Sequence, residues 1–91
     1  MENLNLSIGI IETTGYVATI DALDTLLKTA DVEIIDKELI GAGIVVIIIS
    51  GDISSVKEAI DSAKSSIEKL KHKYRYTIIA NPHNDVWNII P

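Results

Sequence analysis

An unbroken run of β-branched residues, positions 44–49 (IVVIII), constrains the fold of this sequence more than any other feature. Branching at Cβ restricts χ1 in a helix, whereas it suits the pleated backbone of a strand. No polar residue interrupts the run, so both faces of the strand present apolar side chains. We therefore expect a central strand with helices on one face and, on the other, either the C-terminal segment with Trp87 or a second subunit.

Two amphipathic helical patterns flank this run. Apolar residues recur at spacings of four and three in residues 16–30, and at spacings of three and four in residues 53–70. Such spacings place the apolar side chains along one face of a helix. Asp52, directly before the second pattern, is a residue type that caps helix N-termini. We expect each helix to bury its apolar face against the sheet.

Three further apolar segments, residues 6–11, 32–40 and 74–80, are predicted to be strands. The order βαββαβ predicts an α+β split unit, a ferredoxin-like variant in which two helices cover one face of a four-stranded antiparallel sheet. A turn at residues 81–85 precedes a short closing segment at residues 86–90, which we expect to be a short C-terminal helix. A chain of 91 residues suffices for one core, so residues 1–91 are predicted to be a single domain.

Composition excludes several classes of partner. The net charge of -5 disfavours binding to a phosphate backbone or an anionic membrane surface. The longest apolar run is far shorter than the roughly 20 residues that a membrane-spanning helix requires. The absence of cysteine excludes disulfides, thiolate chemistry and iron–sulfur clusters, and it is compatible with a reducing cytosol. We expect a soluble protein that binds neither nucleic acid nor membrane.

No catalytic, metal or cofactor motif emerges from the residues that carry chemistry. His83 has Asp85 two residues after it, but the surrounding segment is typical of a turn. His72 lies in the basic end of the second helical pattern, a position that is usually solvated. Gly41 and Gly43 join two predicted strands and do not open a helix, unlike the glycines of dinucleotide-binding loops. The sequence thus predicts no enzyme, no metal site and no cofactor.

An ordered set of short motifs nevertheless carries a specific resemblance over nearly the whole chain. The motifs are residues 9–15 (GIIETTG), residues 22–24 (ALD), Lys28, residues 40–43 (IGAG), residues 50–53 (SGDI) and Pro82-His83. In this order they resemble the bacterial microcompartment shell-protein family. The resemblance implies a cytoplasmic homo-hexamer that tiles, with neighbouring hexamers and other shell proteins, into the wall of a protein organelle.

The resemblance also assigns roles to individual residues. It implies that the loop between the second and third strands lines a central pore for small polar metabolites. It also implies that a second group of residues contacts the next hexamer. The implied pore residues are Leu39, Ile40, Gly41, Ala42 and Gly43. The implied edge residues are Lys28, Asn81, Pro82 and His83.

Three positions depart from the pattern of the family. Asn81 stands where many similar proteins have an arginine that helps to join hexamers, which weakens the expectation of flat tiling. Leu39 and Ala42 replace residues that are often polar in similar proteins, so the pore rim is expected to be less polar. The alternative function is a regulatory small-molecule-binding domain of the same ferredoxin-like fold, which predicts dimers or trimers and a saturable ligand.

Overall fold

The β-branched run is a central strand of a four-stranded antiparallel sheet. The computed structural model describes residues 6–80, except for Tyr16 and the side chains of residues 17–19. Its elements in chain order are β1 (Ser7–Thr14), α1 (Val17–Lys28), β2 (Glu33–Ile40), β3 (Ile44–Gly51), α2 (Ile53–Lys69) and β4 (Tyr74–Ile79). The strand order in the sheet is β2-β3-β1-β4. This order confirms the predicted βαββαβ split unit.

The ends of two elements differ from the prediction. Strand β1 continues from Ile11 to Thr14, because Glu12 and Thr13 remain paired with β3 on one side and with β4 on the other. Helix α1 ends at Lys28 and not at residue 30. The predicted short C-terminal helix at residues 86–90 and the turn before it lie outside the described residues.

Both helices pack on one face of the sheet, as predicted. Alternate residues of β3, namely Val45, Ile47 and Ile49, are buried against this layer. Leu23 and Leu27 of α1 belong to the same buried cluster, and α2 contributes the remaining helical members. They are Val56, Ala59, Ile60, Ala63 and Ile67. Each fully buried Val, Leu or Ile stabilises the fold by about 1.5–3 kcal/mol.

The opposite face of the sheet is also apolar along β3. The three side chains of β3 that point away from the helices are half-buried: Ile44, Val46 and Ile48. Ile8, which pairs with Ser50 in the register of β1 and β3, is fully buried on this face. Trp87 lies outside the described residues, so cover by the C-terminal segment or by a second subunit stays a prediction.

Helix α2 has a well-formed cap at its N-terminus. One carboxylate oxygen of Asp52 accepts hydrogen bonds from the Ser55 amide at 2.8 Å and from the Ser54 hydroxyl at 2.9 Å. The Ser55 hydroxyl donates to the second oxygen at 3.0 Å. These donors, the Ser55 amide first, lower the pKa of Asp52 below its ordinary value because they stabilise the charged carboxylate. The capping role predicted for Asp52 is confirmed.

Neither helix in the described part of the chain is long and apolar enough to cross a membrane.

Candidate pore loop and edge site

The β2–β3 connection is a tight hairpin turn with an unusual backbone. Ala42 and Gly43 have φ values of 68° and 73°. Ile40 pairs with Ile44, so the loop consists of three residues, and positive φ falls on the second and third of them. Glycine adopts positive φ without steric cost, whereas the Cβ atom of alanine makes this conformation unfavourable. Gly43 is therefore explained by the turn itself, and Ala42 occupies a strained position.

Gly41 has no such explanation within the subunit. Its φ lies outside the left-handed range, and a Cβ atom built on it would meet nothing within 4 Å. Local geometry therefore does not require glycine at this position.

The end of β1 holds the base of this loop. The Gly15 amide donates a hydrogen bond to the Gly43 carbonyl at 3.1 Å. Leu39 and Ile40, which precede the turn, are 62% and 50% exposed. The structure thus brings the five predicted pore residues together at one end of the sheet, where all five are exposed. Their role in a pore stays a prediction.

A recess of about 300 Å³ lies beside the loop, and sequence reasoning missed one of its residues. His72 lines it together with Ala42 and Gly43 of the loop and with Thr14 and Gly15 of β1 and its extension. We predicted His72 only as a solvated helix-end residue. The topology contained the missing signal, because the end of α2, the end of β1 and the β2–β3 loop all lie at the same end of the sheet.

Lys28, the predicted edge residue, is the last residue of α1 and its side chain is 68% exposed. Its Nζ lies 2.8 Å from Oδ2 of Asp24, one helical turn earlier. Nζ of Lys37 on β2 lies 2.8 Å from Oδ1 of the same carboxylate. Asp24 therefore restrains both ammonium groups, and the cluster of these three side chains keeps one net positive charge.

The pKa values agree with this arrangement. Hydrogen bonds from Lys28 and then from Lys37 lower the pKa of Asp24. The same contact with Asp24 raises the pKa of Lys28. The spacing of Asp24 and Lys28 is the i,i+4 spacing of helical ion pairs and was readable from the sequence. The contribution of Lys37 depends on the register of β2, which the sequence does not show.

The other predicted edge residues, Asn81, Pro82 and His83, lie outside the described residues. Among the residues that the structure describes, no cluster of three or more histidine or carboxylate side chains could hold a metal ion. A recess of about 560 Å³ lies between α1 and α2 and includes Asp31, Glu58 and Asp61 in its lining.

The sequence matches the BMC domain family over residues 7–82. The chain belongs to this family, and the resemblance drawn from its motifs is confirmed. Similar curated proteins carry the same indication. The chain is 35% identical over 85 residues to the bacterial microcompartment shell protein PduA of Citrobacter freundii, which covers 93% of this chain and 91% of the relative. It is 38% identical over 92 residues to the carboxysome shell protein CcmK2 of Synechococcus elongatus, covering 94% of this chain and 86% of the relative.

A solved structure shows the same fold. A microcompartment protein from Desulfitobacterium hafniense superposes with a TM-score of 0.77 and 26% sequence identity. The match covers 93% of this chain and 46% of that one, so this chain spans about half the length of the solved protein.

Proposed function

We propose that this chain is a structural subunit of a bacterial microcompartment shell, and that it forms cyclic hexamers whose central pore passes small polar metabolites. Residues 1–91 form one shell domain in this proposal, and the protein resides in the cytoplasm as part of the shell. The similar proteins are named as shell proteins of microcompartments and carboxysomes. No catalytic role is proposed.

Gly41 is the observation that carries the pore proposal. Its backbone does not need glycine, and a Cβ atom would meet no atom of the same subunit. A ring of symmetry-related copies supplies the missing reason, because a side chain at residue 41 of each converging loop would narrow the opening between the loops. Small residues also leave backbone N–H groups accessible to passing solutes. Leu39, Ile40, Ala42 and Gly43 complete the lining in this proposal.

The edge contact between hexamers is proposed to use Lys28, with Asn81, Pro82 and His83 from the segment after β4. Asp24 supports this role, because its hydrogen bond at 2.8 Å restrains an ammonium group that would otherwise sample many rotamers. Asn81 cannot supply the planar, bidentate hydrogen bonding of an arginine. We therefore propose that companion shell proteins contribute to closing the wall.

Native mass spectrometry, with light scattering over a concentration series, tests the assembly. We expect a mass of six subunits and larger sheets at higher concentration, visible by electron microscopy. A stable dimer or trimer that binds a small molecule saturably would overturn the proposal in favour of a regulatory ligand-binding domain.

A further inference from the structure

A basic turn, defined as Lys71, His72 and Lys73, follows helix α2. The chain has a net charge of -5, so a concentration of cationic side chains stands out against the acidic background. Lys71 and Lys73 are exposed. The ion pairs of the described residues involve Lys28, Lys37 and Arg75, and neither lysine of the basic turn takes part in them. Their charges are therefore available to a solute.

Lys71 occupies a position where glycine is the favoured residue. The Lys71 amide donates to the Glu68 carbonyl at 3.0 Å, and the His72 amide donates to the Ile67 carbonyl at 3.3 Å. These two bonds form a Schellman motif, in which the residue after the cap adopts the left-handed conformation. Lys71 does so with φ of 61°. Lys71 therefore carries its charge at a backbone position that glycine would occupy without strain.

The basic turn borders the β2–β3 loop through β1. The Thr14 amide donates to the Lys73 carbonyl at 3.1 Å, and the next amide, that of Gly15, donates to Gly43 of the loop at 3.1 Å. The Thr13 hydroxyl also donates to the Lys73 carbonyl, at 2.9 Å. Two successive backbone amides of the β1 end thus connect the basic turn to the loop.

Two recesses at this end of the sheet contain residues of the basic turn. His72 shares the first with Ala42 and Gly43 of the loop. Lys73 shares the second, of about 180 Å³, with Ile44, the first residue after the loop. Glu12 and Arg75 also line the second recess, and they neutralise each other in an ion pair of 3.1 Å. The ammonium group of Lys73 therefore gives this recess a net positive charge.

We propose that the basic turn makes the pore selective for small anions, with carboxylate- or phosphate-bearing metabolites as its solute class. This inference rests on the proposed hexamer, in which six copies of the turn surround the mouth of the pore. Like charges around a narrow opening raise the local concentration of counter-ions and their rate of entry. The apolar rim formed by Leu39 and Ile40 supplies no charge of its own, so selection by charge falls to the basic turn.

Entry of two quenchers into shells tests this proposal. Shells assembled from this protein and companion shell proteins enclose a fluorescent dye, and stopped-flow fluorescence measures quenching by iodide, an anion, and by acrylamide, a neutral solute. Lys71→Gly and Lys73→Gln each remove one cation, and the double variant removes both. We expect the ratio of iodide to acrylamide entry to fall about tenfold in the double variant at low ionic strength, and less at high salt.

Lys57→Gln is the matched control. It removes one lysine charge from helix α2, about 20 Å from Lys71 along the helix axis. We expect it to leave the entry ratio unchanged, and we expect Lys71→Arg to retain the ratio of the parent protein. Since glycine suits the conformation of residue 71, Lys71→Gly removes the charge without disturbing the fold.

The possible failures are distinguishable. An unchanged ratio in the double variant, with both quenchers entering at the parental rates, would overturn the anion selectivity and leave the proposed shell function standing. Exclusion of both quenchers from shells of the parent protein, or a subunit that forms no hexamer, would overturn the proposed function and the selectivity together.

Discussion

Replacing Gly41 by leucine separates the demands of the fold from those of the assembly. A Cβ atom at Gly41 meets nothing within 4 Å in the subunit, and its φ is accessible to any L-residue. Substitutions that touch nothing usually change the free energy of unfolding by no more than about 0.5 kcal/mol. Loss of glycine can even stabilise a chain by about 0.4–1 kcal/mol, because the unfolded state has less conformational freedom. Gly41→Leu should therefore fold as the parent does.

The assembly should respond differently to the same change. Six leucine side chains converging on one axis would narrow the proposed pore, so the entry of acrylamide into dye-loaded shells should fall at least several-fold. Circular dichroism and native mass spectrometry establish that the variant is folded and hexameric. Acrylamide entry at the parental rate in folded, hexameric Gly41→Leu would refute the assignment of the pore to this loop.

Gly9→Ala is the contrasting control. A Cβ atom at Gly9 would lie 3.0 Å from Cγ1 of Ile49 and 3.0 Å from Cγ1 of Val56, both in the core. Overpacking of this kind destabilises a protein by about 1–3 kcal/mol. We expect a lower thermal unfolding temperature for Gly9→Ala and no specific effect on solute entry in the shells that still form. If Gly9→Ala and Gly41→Leu changed the unfolding temperature and the solute entry to the same extent, the inference that Gly9 serves the core and Gly41 serves the pore would be wrong.

Three further predictions concern the edge, the helix cap and the basic turn. Lys28→Ala should leave the hexamer intact but impair sheet formation, and unchanged sheets by electron microscopy would remove its edge role. Asp52→Ala should lower the unfolding temperature at pH 7. Because folding lowers the pKa of Asp52, the stability that its carboxylate provides is present above the ordinary aspartate pKa and is lost as the pH falls through the folded value. Thermal melts should therefore show a smaller difference in unfolding temperature between the variant and the parent at pH 2 than at pH 7. Lys71→Gly should be more stable than Lys71→Ala by about 1 kcal/mol in urea unfolding, since glycine has no Cβ atom to clash in the left-handed conformation. Equal free energies of unfolding for the two variants would contradict the strain inferred at residue 71.

Local patterns predicted the fold wherever burial follows a simple period. The β-branched run predicted β3, and the spacing of apolar residues predicted α2 to within one residue at its end. The predicted end of β1 at Ile11 was wrong, because the polar residues Glu12, Thr13 and Thr14 gave no apolar signal for a strand. Thr13 is nevertheless buried, and its hydroxyl donates to the carbonyl of Lys73, 60 residues further along the chain. A partner at that distance leaves no local signal in the sequence.

The position of Lys37 shows a second limit of predicting side-chain orientation from the two-residue alternation of a strand. Ile34 lies opposite Ile49 on the helix side of the sheet, and strict alternation would then place Asp36 and Glu38 on that side. An irregularity between Ile34 and Asp36 shifts the register, so that Lys37 lies opposite the buried Ile47 and reaches Asp24 of α1. The shift places a cation, in place of a carboxylate, beside Asp24. The charge of the cluster formed by Asp24, Lys28 and Lys37 therefore depends on one extra residue in β2.

Features that the isolated fold does not explain collect at one end of the sheet. Gly41 is glycine without a local reason, Leu39 and Ile40 are large apolar side chains left exposed, and Lys71 adopts a backbone conformation that favours glycine. Scattered over the surface, each would be unremarkable on its own. Their concentration beside the β2–β3 loop is expected if copies of this end meet around an axis, because neighbours then supply the steric limit at Gly41 and cover the apolar pair. A subunit that acted alone would have no physical reason to gather them there.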